Sequence, residues 1–329
     1  MDHIRILTTG RGIASRTVTN DDLSKVVDTS DDWIYPRTGI HSRQICGEGE
    51  SVYTLAEEAV GKALEKGKTR FGIREEDIGC VVGATISGAT ATPSLSCLVQ
   101  QALHLPEQIP VLDVNAACSG FVYALEVARG LLCANGKRYG LVFGAEALSR
   151  LLDWQDRTTC ILFADGAGAA LIERAPEKEV PYGSFLAARG GTEIVCGGVN
   201  TEDPHIRMDG KAVFRFAVTV IPVAAEGALS LAGVPADAIS HVICHQANAR
   251  ILGHVMRKST IPREKFFQNI STAGNTSAAS IPSALAQMEE EGLLKEGDLL
   301  LLVGFGSGLT YAGMVIGYGR REAEDEKAE

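Results

Sequence analysis

The chain has 329 residues, 45% of them hydrophobic and 22% charged, with a formal net charge of −10 and a mean hydropathy of +0.07. That length can bury one large core or two ordinary ones, and the acidic balance argues against non-specific nucleic-acid binding. No apolar run approaches the roughly 20 residues of a membrane span, so no membrane partner is expected. The first seven residues, Met1-Asp2-His3-Ile4-Arg5-Ile6-Leu7, read as a strand and lack a signal-peptide pattern, which predicts a cytoplasmic protein. Eight cysteines are scattered without zinc spacing, so neither disulfides nor a metal site is expected. The acidic run 320–329 reads as a solvated tail.

Strand-like and helix-like segments alternate along the chain, which predicts an α/β fold. The first half carries expected strands near 80–84, 110–114, 139–144 and 160–173, with helices over 53–66, 94–103 and 120–134. The second half follows the same order, with strands near 241–245, 299–304 and 310–317 and helices over 212–231, 248–258 and 277–292. The spacing repeats too: Asp77 to Gly144 and Asp237 to Gly304 each span 67 positions. Cys118 and Asn275 both fall near the start of the matching long helix. We read an ancestral duplication, with halves 1–175 and 176–329 divided in the breaker-rich stretch around Pro176 and Pro181.

Cys118 lies in Asn115-Ala116-Ala117-Cys118-Ser119-Gly120, between an apolar strand and an apolar helix. At a helix N-terminus the unpaired N–H groups and the dipole favour a thiolate, and the small neighbours let a ligand approach. The second half supplies His245 at a strand end and Asn275 in Ala273-Gly274-Asn275-Thr276-Ser277. Taken singly, the histidine reads equally as a core residue and the asparagine as a helix cap. Together they suit thioester chemistry. A thiolate takes an acyl group, and a neutral His and an Asn amide hold the carbonyl of a second, carboxylated thioester as it loses CO2. Decarboxylation generates the carbanion, so no base is needed to remove a carbon-bound proton.

Six separate motifs then resemble the β-ketoacyl-[acyl-carrier-protein] synthase III family of the thiolase superfamily over nearly the whole length. They are Asp28-Thr29-Ser30-Asp31-Asp32-Trp33 with Arg37-Thr38-Gly39, the Cys118 segment, Ala164-Asp165-Gly166-Ala167-Gly168, His245-Gln246-Ala247-Asn248-Ala249-Arg250, Gly274-Asn275-Thr276-Ser277-Ala278-Ala279-Ser280-Ile281-Pro282, and Gly304-Phe305-Gly306-Ser307-Gly308. The resemblance implies a thiolase-like fold in αβαβα layers, a homodimer, and no cofactor. Cys118 would be acylated from an acyl-CoA primer, and His245 and Asn275 would drive condensation with malonyl-carrier protein.

The same resemblance implies an oxyanion hole from the backbone N–H groups of Cys118 and Ser307. The family usually has glycine at the latter place; a strained φ would suit Ser less well, yet tolerance is expected. Trp33 and Arg157 match the pair that stacks the coenzyme's adenine, Arg37 its phosphate contact, and Thr29, Phe214 and Asn248 the pantetheine channel. Thr92 stands where short-primer members carry a bulky aromatic, so a longer or branched primer should fit; that position reaches across the dimer interface in the family. A basic rim can be argued from spacing alone. Arg250 and Arg257 are seven apart on one helix face, with Lys258 beside them, while Lys211 and Arg215 are four apart on another helix. With Gln246, Ala247, Asn248 and Ala249, which the motif places at the turn, this rim would meet an acidic acyl carrier protein.

Alternatives remain at this stage. A relative recruited to quinolone or polyketide priming would share the chemistry. A proton-abstracting thiolase would want a second cysteine near Gly304, and none follows Cys244. A Cys-His-Asn thioester hydrolase and a non-catalytic carrier-binding scaffold are the other readings.

Overall fold

The computed structural model describes residues 2–197 and 201–320. Its main sheet strands are β1 (His3–Gly12), β2 (Ile78–Ala84), β3 (Val111–Val114), β4 (Tyr139–Ala147), β5 (Asp165–Ala175), β6 (Gly183–Ala188), β7 (His241–Cys244), β8 (Leu299–Gly306) and β9 (Thr310–Tyr318). The helices that matter for the site are α1 (Val52–Phe71), α2 (Gly120–Asn135), α3 (Gly210–Ala232), α4 (Ala249–Lys258) and α5 (Ser280–Glu290). The first-half order is β3-β2-β4-β5-β1, and the second-half order β7-β8-β9-β6 repeats its last four places. Each pairing agrees in sense: β2 with β4 and β7 with β8 are parallel, while β4–β5–β1 and β8–β9–β6 are antiparallel. Where the second half has no strand matching β3, a single parallel bridge from Val242 to Phe266 takes its place. Among the described residues the two sheets join through the parallel pairs Arg5↔Gly317 and Ile6↔Tyr318.

The layering follows from which face each helix buries. α1 starts on a Ser51–Thr54 capping box, stops at Gly72 in the left-handed region, and buries Leu55, Ala56, Ala59, Val60 and Ala63. That stripe packs on the outer face of the first half with Leu7, Leu141 and Leu171. α3, capped by Asp209, buries Phe216, Ala217, Val220, Ile221 and Ala224 against Leu301, Val303 and Val315 on the other outer face. Between the sheets, α2 and α5 share one core with strands of both halves, including Phe121, Leu125, Ile281, Leu285, Val142 and Leu302. Each large side chain fully buried there contributes about 1.5–3 kcal/mol.

One expectation is corrected. The segment at 160–164 is a buried turn, and the strand begins only at Asp165. Two helical stretches, Ala117–Asn135 and Gly210–Ala232, do reach the length and mean hydropathy (1.3 and 1.6) of a membrane span. The layers explain their composition: α2 is covered by sheets of both halves and α3 lays one face on the second. Of the expected acidic tail, residues 321–329 lie outside the described residues, and Arg320 is tied to buried Glu173 by a 2.8 Å ion pair.

The halves interlock at equivalent points. α2 is entered through a 3₁₀ turn, Ala117–Ser119, and α5 through its counterpart, Ser277–Ala279. Ala117 (φ 44°) and Ser277 (φ 48°) both take the left-handed conformation that non-glycine residues rarely adopt. Each turn lies against a glycine of the other half. A Cβ on Gly304 would come within 2.8 Å of Ser119 Cα, and one on Gly144 within 2.2 Å of the Ala278 carbonyl oxygen.

Candidate active site

Cys118 occupies the first of these turns. The Ala116 carbonyl gathers the turn by accepting from Ser119 N–H at 3.1 Å, Ser119 Oγ at 2.8 Å and Thr310 Oγ1 at 3.0 Å. A Cβ on Gly306 would lie 2.7 Å from Cys118 N and 2.9 Å from Cys118 Cβ, so the second half's strand end fits under Cys118 only as glycine. The thiol is half-buried in an apolar setting, and burial pushes it up to about 12. Desolvation of the charged form thus works against the favourable helix end.

His245 continues β7, donating its N–H to the Val303 carbonyl at 2.8 Å. Its ring is buried against the edge of Phe305, with centroids 5.2 Å apart. Burial pulls the imidazole down to about 3, so it is neutral at any working pH. Nδ1 lies 2.7 Å from Ser280 Oγ, which also accepts the Gln246 N–H at 3.3 Å. In the tautomer where the Ser280 hydroxyl donates to Nδ1, the ring proton sits on Nε2. Asn275 is held in register with 162–164 by its own N–H to Leu162 and by Ala164 N–H to its carbonyl, at 3.0 and 2.9 Å. Its side-chain Oδ1 accepts Ser277 N–H at 2.9 Å, which leaves Nδ2 as donor. The cap and donor readings of Asn275 are thus one arrangement.

Cys118, His245 and Asn275 line one cavity of about 740 Å³ where the two halves meet. Of the other residues singled out by sequence, Trp33, Arg37, Phe214, Ala247, Asn248 and Ser307 share that lining. Ser307 carries no positive φ; the left-handed value, 124°, falls on Gly308. The concern about a strained serine is thereby removed, and Ser307 Oγ donates to the Ile194 carbonyl at 2.7 Å. Asn248 spends its amide on structure, capping α4 through Arg250 N–H at 2.8 Å and donating to the Arg37 carbonyl at 3.0 Å.

Other residues are placed differently. Thr92 is exposed and Thr29 lies outside the cavity lining of its own chain. Arg157 stacks directly on Trp33, 4.9 Å from the ring centroid, with Arg37 4.6 Å from the same ring. The slot expected between Trp33 and Arg157 is therefore closed, and Asp28 holds Arg157 at 3.3 Å. Gln246 is corrected outright as a partner contact: it is buried, its Nε2 donating to the Cys244 and Phe267 carbonyls at 2.8 and 3.3 Å. Ala249 packs beneath Gly39. Arg215, Arg250, Arg257 and Lys258 are exposed, and none forms an ion pair among the described residues.

Sequence reading did not single out Ser280, Thr310, Ser277 or Glu146. Ser280 and Ser277 sit inside the Asn275 motif, so a signal existed. Glu146 is a lone charge in an otherwise apolar strand, a weaker one.

Cavity and layers together define a thiolase-fold acyltransferase of the condensing type. Two family models match: 3-oxoacyl-[acyl-carrier-protein] synthase III over residues 112–190, and its C-terminal part over 229–318. The β-ketoacyl-[acyl-carrier-protein] synthase III of Clostridium tetani is 41% identical, with 95% of this chain and 98% of that one covered. That of Aquifex aeolicus is 40% identical, over 95% and 99%. Among solved structures, the 3-oxoacyl-[acyl-carrier-protein] synthase III of Aquifex aeolicus VF5 superposes with a TM-score of 0.89 at 39% identity, over 96% of this chain and 100% of that one. The priming β-ketosynthase of the R1128 polyketide pathway gives 0.87 at 32%, over 96% of each. The chain belongs to the β-ketoacyl-[acyl-carrier-protein] synthase III family.

Proposed function

We propose that the chain condenses an acyl-CoA primer with malonyl-[acyl-carrier protein] through an acyl-Cys118 intermediate, initiating type II fatty acid synthesis. The observation that carries this is the convergence in one cavity of a thiol, a histidine kept neutral, and an asparagine with its oxygen already engaged. Cys118 Sγ attacks the primer thioester, and the backbone N–H groups of Cys118 and Ser307 receive the developing oxyanion. His245 Nε2–H and Asn275 Nδ2–H then hold the malonyl thioester carbonyl as CO2 leaves, and the enolate carbon displaces Cys118. The carbanion comes from decarboxylation, so this sequence needs no metal or redox cofactor.

For the coenzyme, Trp33 and Arg37 at the cavity mouth supply a stacking face and a phosphate-matching guanidinium. Adenine would enter between Trp33 and Arg157 once Arg157 leaves Asp28, with Thr29 and Phe214 toward the pantetheine. The exposed Arg215, Arg250, Arg257 and Lys258, with Ala247, Asn248 and Ala249 at the turn, would receive the carrier protein. We read the halves 1–175 and 176–329 as the donors of nucleophile and of His–Asn pair, respectively. A homodimer is supported by β3, whose four residues are only half-buried at the sheet edge. It would bring a partner's Thr92 to the acyl pocket, and light scattering tests it. Cytoplasmic residence accords with eight free cysteines.

Intact-mass measurement after adding a panel of acyl-CoAs tests the reading, with one adduct on Cys118 expected. Asn275→Ala should still acylate yet give no ketoacyl product; unchanged product would refute it. The resemblance to the R1128 priming enzyme favours a second reading, priming of polyketide synthesis. Preference within the panel, and for the acceptor, separates the two.

A further inference from the structure

The two backbone donors read as the oxyanion hole belong to different halves of the molecule. Cys118 N–H lies on the turn Ala117–Ser119 and Ser307 N–H on the turn Ser307–Leu309. The second turn is fastened from its outer side. Ser307 Oγ donates to the Ile194 carbonyl at 2.7 Å, Gly191 N–H to the Gly308 carbonyl at 3.0 Å, and Leu309 exchanges backbone bonds with Arg189 at 2.8 and 2.9 Å. None of these bonds reaches the Cys118 turn. The side chain that spans the gap is Thr310.

Thr310 opens β9 at the edge of the cavity, paired with Gly306 on β8 and with Ala188 on β6. A strand start held on both sides is a rigid base for a side chain. The γ-methyl lies against Gly308, whose Cβ would come within 2.9 Å of it, and a β-branched residue has few rotamers to choose from. That fixes the hydroxyl. It accepts from Ser119 Oγ at 2.7 Å and stands 3.0 Å from both the Ala116 and the Ser307 carbonyl. Its single proton is therefore shared by one carbonyl from each turn. Each of those carbonyls belongs to the peptide group next to the one that carries the oxyanion donor, Cys118 N–H on one side and Ser307 N–H on the other.

We propose that Thr310 is a positioning residue for acylation: its hydroxyl sets the separation of the Cys118 and Ser307 N–H groups by tying their turns together across the seam. The inference rests on the acyl-Cys118 reading above and on its pair of backbone donors. An oxyanion is stabilised only where both donors stand within roughly 2.7–3.1 Å of one oxygen at once. Donors carried by two separate halves drift apart with the seam unless something local joins them. Without the Thr310 hydroxyl, the Ala116 carbonyl keeps Ser119 N–H and Ser119 Oγ, so the Cys118 turn retains its own shape. What it loses is registration against Ser307. The effect is confined to chemistry that passes through an oxyanion, and a reaction at the sulfur that forms none is spared.

The test compares two reactions of Cys118 in the wild type, Thr310→Val and Thr310→Ser. Single-turnover acylation is followed against acyl-CoA concentration by quenched intact mass, and alkylation by iodoacetamide is followed by peptide mapping. Thr310→Val keeps the shape and removes the hydroxyl. Its maximal acylation rate should fall about tenfold to a hundredfold, short of the loss of a whole donor. The half-saturating acyl-CoA concentration and the alkylation rate should stay within about twofold, because neither depends on the oxyanion. Thr310→Ser, which restores the hydroxyl, should recover most of the acylation rate. Wild-type acylation by Thr310→Val would overturn the proposal, as would failure of Thr310→Ser to recover it. Parallel loss of acylation and alkylation would overturn it too, since that marks a turn disordered as a whole. Should Thr310→Val fail to fold, Thr310→Ala against Thr310→Ser makes the same comparison. If the wild type itself gains no acyl adduct on Cys118, the acyl-enzyme reading fails instead.

Discussion

Ser280 Oγ lies 2.7 Å from His245 Nδ1, and a proton donated across that contact leaves Nε2 as the ring's own donor. Replacing Ser280 by Ala frees Nδ1 to carry the proton, and Nε2 then presents a lone pair to the developing enolate. Condensation should fall about tenfold to a hundredfold, approaching the loss of one oxyanion donor. Acylation of Cys118 should be spared. Separate measurement of the acylation burst and steady-state turnover checks this; equal losses in both would show that Ser280 only holds the fold.

His245 and Glu146 give stability opposing dependences on pH. His245 falls from an ordinary 6.5 to about 3, so between those values the unfolded chain binds more protons, and stability is lost as pH falls. Glu146 rises from 4.5 to about 7, so between those values the folded chain binds more, and stability is lost as pH rises. Each slope approaches about 1.4 kcal/mol per pH unit and they offset one another between about 4.5 and 6.5. Urea melts across that window should show Glu146→Gln gaining a steeper loss toward acid than the wild type. His245→Asn should show the reverse, and parallel curves for all three would contradict the assignment.

Gly306→Ala should disarm the nucleophile without unfolding the chain. Its Cβ would sit 2.7 Å from Cys118 N, so the turn has to move away from the strand end. Displacement of a reacting atom by about 1 Å can cost a hundredfold. Acylation should therefore drop by one to two orders of magnitude while the melting temperature changes by a few degrees. A variant acylated at the wild-type rate would show that the turn has slack.

The basic rim should act on the carrier-linked substrate alone. Reversing Arg250 and Arg257 together to Glu should raise KM for malonyl-carrier protein about tenfold or more and leave Cys118 acylation by acyl-CoA unchanged. Added salt should narrow the gap between wild type and variant, because exposed charges are screened beyond about 8–10 Å. Salt-independent kinetics would place the carrier elsewhere.

Much of this was legible in sequence because duplication and chemistry reinforce each other. The repeated spacing points to two alike halves, and Cys118, His245 and Asn275 each stand in a small-residue turn that apolar periodicity brackets. The segment at 160–164 was misread because Cys160-Ile161-Leu162-Phe163-Ala164 is as apolar as a buried strand, and period alone does not separate a buried turn from one. Gln246 was misplaced because a motif assigns a neighbourhood, and only the fold shows that its amide turns inward. The thiol's resting state depends on desolvation, a property of the assembled cavity that neighbours in sequence do not encode.

The reciprocal seating of Ser119 on Gly304 and Ala278 on Gly144 carries a consequence for how the chain is born and how it ages. Neither half can set its own turn; each needs the other's strand as an anvil. The geometry around Cys118 therefore requires both halves in place and is lost when the seam between them opens. A partly folded or fraying chain presents Cys118 as an ordinary thiol in an ordinary loop, without oxyanion donors or His–Asn pair.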